Sequence, residues 1–120
     1  TGSICYAASN NSPVLISQNQ FSQLPTDKMP VGIGDKNEPF KQFDIHYKKG
    51  DMLYVFTDGY SDQFGGPKGK KFKIKQLNEL LLSIAGLTLV EQKDKICSEF
   101  ENWRGNLEQV DDVCILGIKL

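Results

Sequence analysis

Gly50-Asp51-Met52-Leu53-Tyr54-Val55-Phe56-Thr57-Asp58-Gly59 decides how the rest of the chain is read. The residues Met52 to Phe56 are all apolar and suited to a strand, so both faces are expected to be covered and the element to lie mid-sheet. A turn at Gly50-Asp51 precedes it, and Asp58 follows where the strand gives way to glycine. A carboxylate there has a fixed direction, and Gly59 lets another group or the backbone come close to it. Taken alone, the stretch favours a plainer role, in which Asp58 accepts hydrogen bonds in an Asp-Gly turn.

The bulk composition narrows the field. A chain of 120 residues with 39% hydrophobic content holds material for one domain with a modest core. With 14 basic and 15 acidic residues the net charge is −1, which argues against a general nucleic-acid surface or a polybasic membrane anchor. No apolar run reaches the roughly 20 residues needed to span a bilayer, and no signal-peptide pattern opens the chain. A soluble, cytoplasmic protein is expected. The start at Thr1 without Met, running straight into strand-like residues, suggests a piece of something longer. Cys5, Cys97 and Cys114 show no C-x-x-C spacing and are odd in number, so they are expected to be buried free thiols, neither a zinc site nor a disulfide framework.

Outward from the central stretch, Ile4–Ala8 and Val14–Ile16 flank the turn formers Ser9-Asn10-Asn11-Ser12-Pro13 and predict a β-hairpin. Gln18-Asn19-Gln20 marks the next turn, with a brief strand over Phe21–Leu24. Pro25 to Gly34 is irregular. Phe43, Ile45 and Tyr47 alternate with Asp44, His46 and Lys48, which predicts a half-buried strand with His46 on its wet face. That strand is expected to pair antiparallel with Met52–Phe56 through Lys49-Gly50-Asp51. The segment Tyr60–Lys71, rich in glycine and lysine, predicts a mobile loop whose positive charge could guide a phosphorylated partner toward Asp58; a solvated connector is an equal reading.

Two helices are predicted next. Ile74, Leu77, Leu81 and Ile84 define the buried stripe of the first, ending at a left-handed Gly86. Thr88 and Glu91 form a capping box for the second, whose stripe is Ile96, Phe100 and Trp103 before Gly105. Val113–Ile118 predicts another central strand. Before it stand Asp111 and Asp112, and two acids side by side ask for a cation or hydrogen-bond donors to compensate them. The predicted class is α+β, antiparallel sheets against an antiparallel helix pair.

Together Thr57-Asp58-Gly59, the Lys49-Gly50-Asp51 turn, Pro30-Val31-Gly32-Ile33 and Gln109-Val110-Asp111-Asp112-Val113 resemble the C-terminal part of the metal-dependent protein serine/threonine phosphatases. This is the PPM, or protein phosphatase 2C-like, superfamily, in its bacterial stage II sporulation protein E branch. Ala8-Ser9-Asn10-Asn11-Ser12-Pro13 stands where that branch has a Gly-His or Ala-Asn loop. The resemblance implies an incomplete α/β/β/α sandwich over residues 1–120, with the N-terminal half of the domain absent. It also implies two Mn²⁺ or Mg²⁺ ions held by carboxylates and water, and attack by a metal-bound hydroxide on phosphoserine or phosphothreonine.

By the same resemblance Asp58 and Asp111 are the catalytic metal ligands, while Gly59, Asp62 and Asp112 belong to the surroundings of the metals. Asp62 stands where the branch has Glu, and Cys114 where it has a hydroxyl residue. The metal-bridging acid lies upstream of anything matched, so the isolated segment is expected to be inactive. The implied partners are a phosphoprotein, such as an anti-sigma-factor antagonist, and an upstream sensory or regulatory domain. Homodimerisation is expected because a central strand bare on one edge adds a neighbour. The alternative is a non-catalytic phosphatase-like module that binds a phosphoprotein. A haloacid-dehalogenase-like phosphatase is disfavoured because Tyr60 stands where Asp-x-Asp needs an acid. A receiver domain is disfavoured by the run of strands before the helices.

Overall fold

The computed structural model describes residues 2–29, 31–32 and 38–120. Pro30, Ile33 and Gly34 of the predicted irregular segment lie outside them. The described strands are β1 (Gly2–Tyr6), β2 (Val14–Ser17), β3 (Gln20–Gln23), β4 (Phe43–Tyr47), β5 (Met52–Phe56), β6 (Phe64–Gly65), β7 (Lys70–Lys71) and β8 (Ile115–Lys119). The helices α1 (Ile74–Ile84) and α2 (Leu89–Arg104) fall between β7 and β8. This is the predicted α+β class, with antiparallel pairing between the strands. The chain divides into two compact units, Thr1–Val55 with Leu116–Leu120, and Phe56–Ile115.

In the first unit the sheet order is β3-β2-β5-β8, and β1 and β4 form a separate pair. Val14, Leu15, Ile16, Met52 and Tyr54 are buried and form its core. β5 is central, as its apolar run predicts, but only Met52 and Tyr54 are fully covered; Val55 on the other face is exposed.

Two pairings and the place of the last strand depart from the sequence reading. The predicted hairpin of Ile4–Ala8 with Val14–Ile16 does not form, because its loop bonds elsewhere. Asn10 takes a φ of 57° and donates to the Asp27 carbonyl at 2.8 Å, while Asp27 donates to Ala8 at 2.9 Å. β1 pairs with β4 instead, and β2 makes its hairpin with β3. The turn there is Gln18-Asn19, both left-handed at 50° and 62°, the geometry that joins two strands through a two-residue loop.

The predicted pairing of β4 with β5 also fails, although Gly50-Asp51 is a turn. Gly50 has φ 96°, and buried Asp51 accepts from the Lys48 amide at 2.8 Å through Oδ2. The main chain on its far side bonds Leu120, with Gly50 donating at 2.7 Å and Leu120 donating to Asp51 at 2.9 Å. The turn therefore leads β5 toward the last strand. That strand, expected at the centre, is the sheet's edge among the described residues, with Leu116 and Ile118 exposed. β5 thus has neighbours on both sides, and the open edge that motivated dimerisation belongs to β8.

In the second unit the predicted mobile loop is an ordered hairpin. Tyr60 is buried, with its ring 5.1 Å from both Phe72 and Phe100, and its hydroxyl donates to the Ile96 carbonyl at 2.8 Å. Phe72 packs edge-on against Trp103 at 5.3 Å. The aromatic anchors of this hairpin are spaced among glycines and lysines, whose average composition reads as loop.

α1 buries Leu77, Leu81 and Ile84, but Ile74 is exposed, and Gly86 is not left-handed. The helix closes instead with Leu87 donating to Ile84 at 2.9 Å. α2 has the predicted capping box, with the Glu91 amide donating to Thr88 Oγ1 at 3.2 Å and the Thr88 amide to Glu91 Oε2 at 3.0 Å. It ends at Gly105, φ 56°. All three cysteines are exposed, not buried. Apolar neighbours mislead here: in a strand adjacent residues face opposite ways, and Cys5 points away from the side that Ile4 and Tyr6 cover.

Candidate functional site

The segment after β5 and the segment before β8 are fastened to each other inside the second unit. Thr57 does most of this. Its amide donates to the Cys114 carbonyl at 3.0 Å, its hydroxyl oxygen accepts from the Cys114 amide at 3.1 Å, and the hydroxyl donates to the Asp112 carbonyl at 3.3 Å. Gly59 completes the contact. A Cβ at that position would stand 2.1 Å from the Asp112 carbonyl oxygen, so only a residue without a side chain admits the approach. Its φ is not left-handed, so glycine is needed here for space and not for backbone conformation.

Asp58 sits between these two fastenings. Its carbonyl accepts from the Asp62 amide at 2.9 Å and from Ser61 Oγ at 3.1 Å, so the turn is closed by main chain and serine. Its carboxylate is exposed and accepts no hydrogen bond among the described residues. The turn-acceptor role therefore does not account for it. Asp111 and Asp112 are exposed as well; the Asp112 amide donates to Asp111 Oδ1 at 2.7 Å, and Gln109 Nε2 to the Asp111 carbonyl at 2.9 Å. Asp112 meets Thr57 through its carbonyl, not its carboxylate. Asp62 spends its carboxylate on Lys71, Oδ1 to Nζ 3.7 Å, an exposed pair of small energy.

Sequence reasoning gave Thr57 no role and passed over Gln63 altogether. Gln63 is fully buried; its Nε2 donates to the Phe64 carbonyl at 3.0 Å and to the Glu108 carbonyl at 2.8 Å, while its main-chain carbonyl accepts from Trp103 Nε1 at 3.0 Å. It thereby ties the Asp58 turn to the stretch that leads into Asp111. A threonine at a strand end just before Asp-Gly, and an amide amid glycines, were the available signals.

Asp58 and Asp111 thus branch from segments locked together, as exposed oxygen donors of the kind hard divalent cations prefer. Among the described residues no group of three or more His, Cys, Asp or Glu is placed to hold a metal ion. Both residues carry carboxylate oxygens, the donor type that Mn²⁺ and Mg²⁺ prefer. His46 is exposed on β4 and lines a groove of about 500 Å³ with Asp51 in the first unit.

The family profile of stage II sporulation protein E matches residues 1–120. The chain belongs to that family. Among solved structures, the PP2C domain of SiaA from Pseudomonas aeruginosa superposes with a TM-score of 0.89 at 24% identity, covering 98% of this chain and 46% of that one. The phosphatase domain of SpoIIE from Bacillus subtilis with a fragment of its regulatory domain gives 0.72 at 19% identity, covering 98% and 34%. The SpoIIE phosphatase domain in a crystal form without domain swapping gives 0.62 at 18%, covering 98% and 49%. This family member therefore spans less than half the length of those structures and shares their fold over nearly all of its own. No curated protein matches it. Among the described residues no helix is long and apolar enough to cross a membrane.

Proposed function

We propose that the chain is the C-terminal part of the catalytic domain of a bacterial metal-dependent protein serine/threonine phosphatase. One observation carries the reading: the Thr57–Gly59 segment is clasped to Asp112–Cys114 while the Asp58 carboxylate is left uncommitted. Asp58 and Asp111 would hold Mn²⁺ or Mg²⁺, with an upstream acid completing a two-metal set. Bound divalent cations supply positive charge that polarises the phosphoryl group and makes water more acidic. What this chain contributes is position. Thr57 and Gly59 hold the two acids' segments in register, and Asp111 keeps one oxygen on the Asp112 amide, which fixes the direction of the other.

The substrate would be phosphoserine or phosphothreonine on a cytoplasmic signalling protein, such as an anti-sigma-factor antagonist, under control of a sensory domain upstream. The open β8 edge suits pairing with a second copy. The deciding experiment measures release of phosphate from a phosphoserine peptide by the full-length protein with Mn²⁺. Asp58→Asn and Asp111→Asn should each lower kcat by roughly a hundredfold or more. Wild-type turnover in both variants overturns the assignment, and peptide binding without turnover by the unaltered protein would leave a phosphoprotein-binding module. In the isolated chain, Mn²⁺ should broaden the amide resonances around Asp58 and Asp111 before any others.

A further inference from the structure

Five of the chain's 14 basic residues, Lys68, Lys70, Lys71, Lys73 and Lys75, fall within eight positions of a protein whose net charge is −1. All five are exposed. Among the described residues only Lys71 has a carboxylate partner, Asp62, so the other four lysines make no ion pair. The α1 end that follows adds to the field instead of relieving it. Its N-cap position is Lys73, no side chain caps it, and the first turn contains no acid. Helix starts ordinarily carry acids or Ser, Thr, Asp or Asn caps, as α2 does with Thr88 and Glu91.

The platform under these lysines is firm. Gly66 donates to the Trp103 carbonyl at 2.8 Å, and a Cβ on Gly65 would stand 1.9 Å from that same oxygen. Gly66 and Gly69 make the left-handed turn at 70° and 60°, and buried Phe72 pins the returning strand against Trp103 and Tyr60. The platform also borders the Asp58 turn. Lys73 donates its amide to the Ser61 carbonyl at 2.8 Å, and Ser61 Oγ donates to the Asp58 carbonyl at 3.1 Å.

We propose that the β6–β7 hairpin and the start of α1 form a docking surface for an acidic segment flanking the phosphorylated residue of a protein substrate. The inference rests on the phosphatase reading and adds the substrate's local charge to it. A handful of lysines on a chain of net negative charge suits a short acidic peptide better than a polyanion or a membrane, which draw on a larger basic surface. Docking here places the phosphorylated residue beside the turn that presents Asp58.

The test measures binding, so it is read independently of turnover. A fluorescent phosphoserine peptide rich in Asp and Glu is titrated with the 120-residue chain and followed by anisotropy at low and moderate salt. The triple variant Lys68→Gln, Lys70→Gln, Lys73→Gln should weaken binding by roughly fivefold or more and flatten its salt dependence. These side chains are exposed, so Trp103 fluorescence should match the parent chain. Unchanged affinity in the variant, equal affinity for a neutral phosphoserine peptide of the same length, or tighter binding to RNA or to phosphatidylserine vesicles overturns the proposal. Failure of the Asp58→Asn turnover test with this binding intact would sink the catalytic reading alone.

Discussion

Gly59→Ala isolates the clasp between the two acidic segments. The added methyl would stand 2.1 Å from the Asp112 carbonyl oxygen and 2.8 Å from its carbon. Carbon meets a carbonyl oxygen comfortably at about 3.3 Å, so the segments must part by roughly 1 Å. The three hydrogen bonds of Thr57, at 3.0, 3.1 and 3.3 Å, span the same gap and cannot survive that shift intact. Overpacking costs about 1–3 kcal/mol, and each weakened bond about 0.5–1.5 kcal/mol. Because Gly59 is not left-handed, backbone strain adds nothing, and the expected loss is on the order of 3 kcal/mol. Urea unfolding followed by Trp103 fluorescence is the assay, since this single tryptophan lies in the same unit. The variant should also lose the focus of Mn²⁺ broadening on Asp58 and Asp111. A stability within about 0.5 kcal/mol of the parent would refute the close approach itself.

Thr57→Val removes the hydroxyl that bonds both Asp112 and Cys114 and should cost about 1–2 kcal/mol with weaker Mn²⁺ broadening, while Thr57→Ser should restore both. Gln63→Ala deletes the bonds to Phe64 and Glu108 and leaves a buried void, with about 2–4 kcal/mol expected in the same urea assay. Alkali gives a third check. Burial pushes the Tyr60 phenol above its usual value and that of Tyr54 up to about 12. Both rings must stay neutral to stay folded, so their contribution is full below the unfolded value near 10 and fades as pH rises past it. Stability measured from pH 9 to 11.5 should fall, and Tyr60→Phe should fall less steeply; equal slopes would count against burial of that hydroxyl.

How much could be read beforehand follows from how local each signal is. The apolar run of β5, the Gly50 turn, the Thr88 capping box and the stop at Gly105 each depend on residues a few positions apart, and each is present. Strand partners were misread because pairing is decided by contacts distant in sequence. Asn10 bonding Asp27 and Gly50 bonding Leu120 redirect two turns that looked like simple hairpins. The basic hairpin was misread for another reason. Tyr60, Phe72 and the Gly65 that fits against Trp103 are buried residues dispersed among lysines, and no short window shows a period.

The candidate site was legible as residue types and illegible as a mechanism of placement. Asp-Gly after a strand has an ordinary explanation, a carboxylate that closes its own turn, and that explanation can be tested against the hydrogen bonds. Here Ser61 and the Asp62 amide close the turn onto the Asp58 carbonyl, and the carboxylate is spare. On the opposite segment Asp112 uses its carbonyl to hold Thr57. Nothing among the described residues bonds the Asp58 carboxylate, so the fold has no need of its charge. Stability and function should therefore separate at this residue. Asp58→Asn should leave the urea midpoint unchanged while abolishing Mn²⁺ broadening, whereas Thr57→Val should disturb both. A destabilised Asp58→Asn would mean that the carboxylate serves the fold after all.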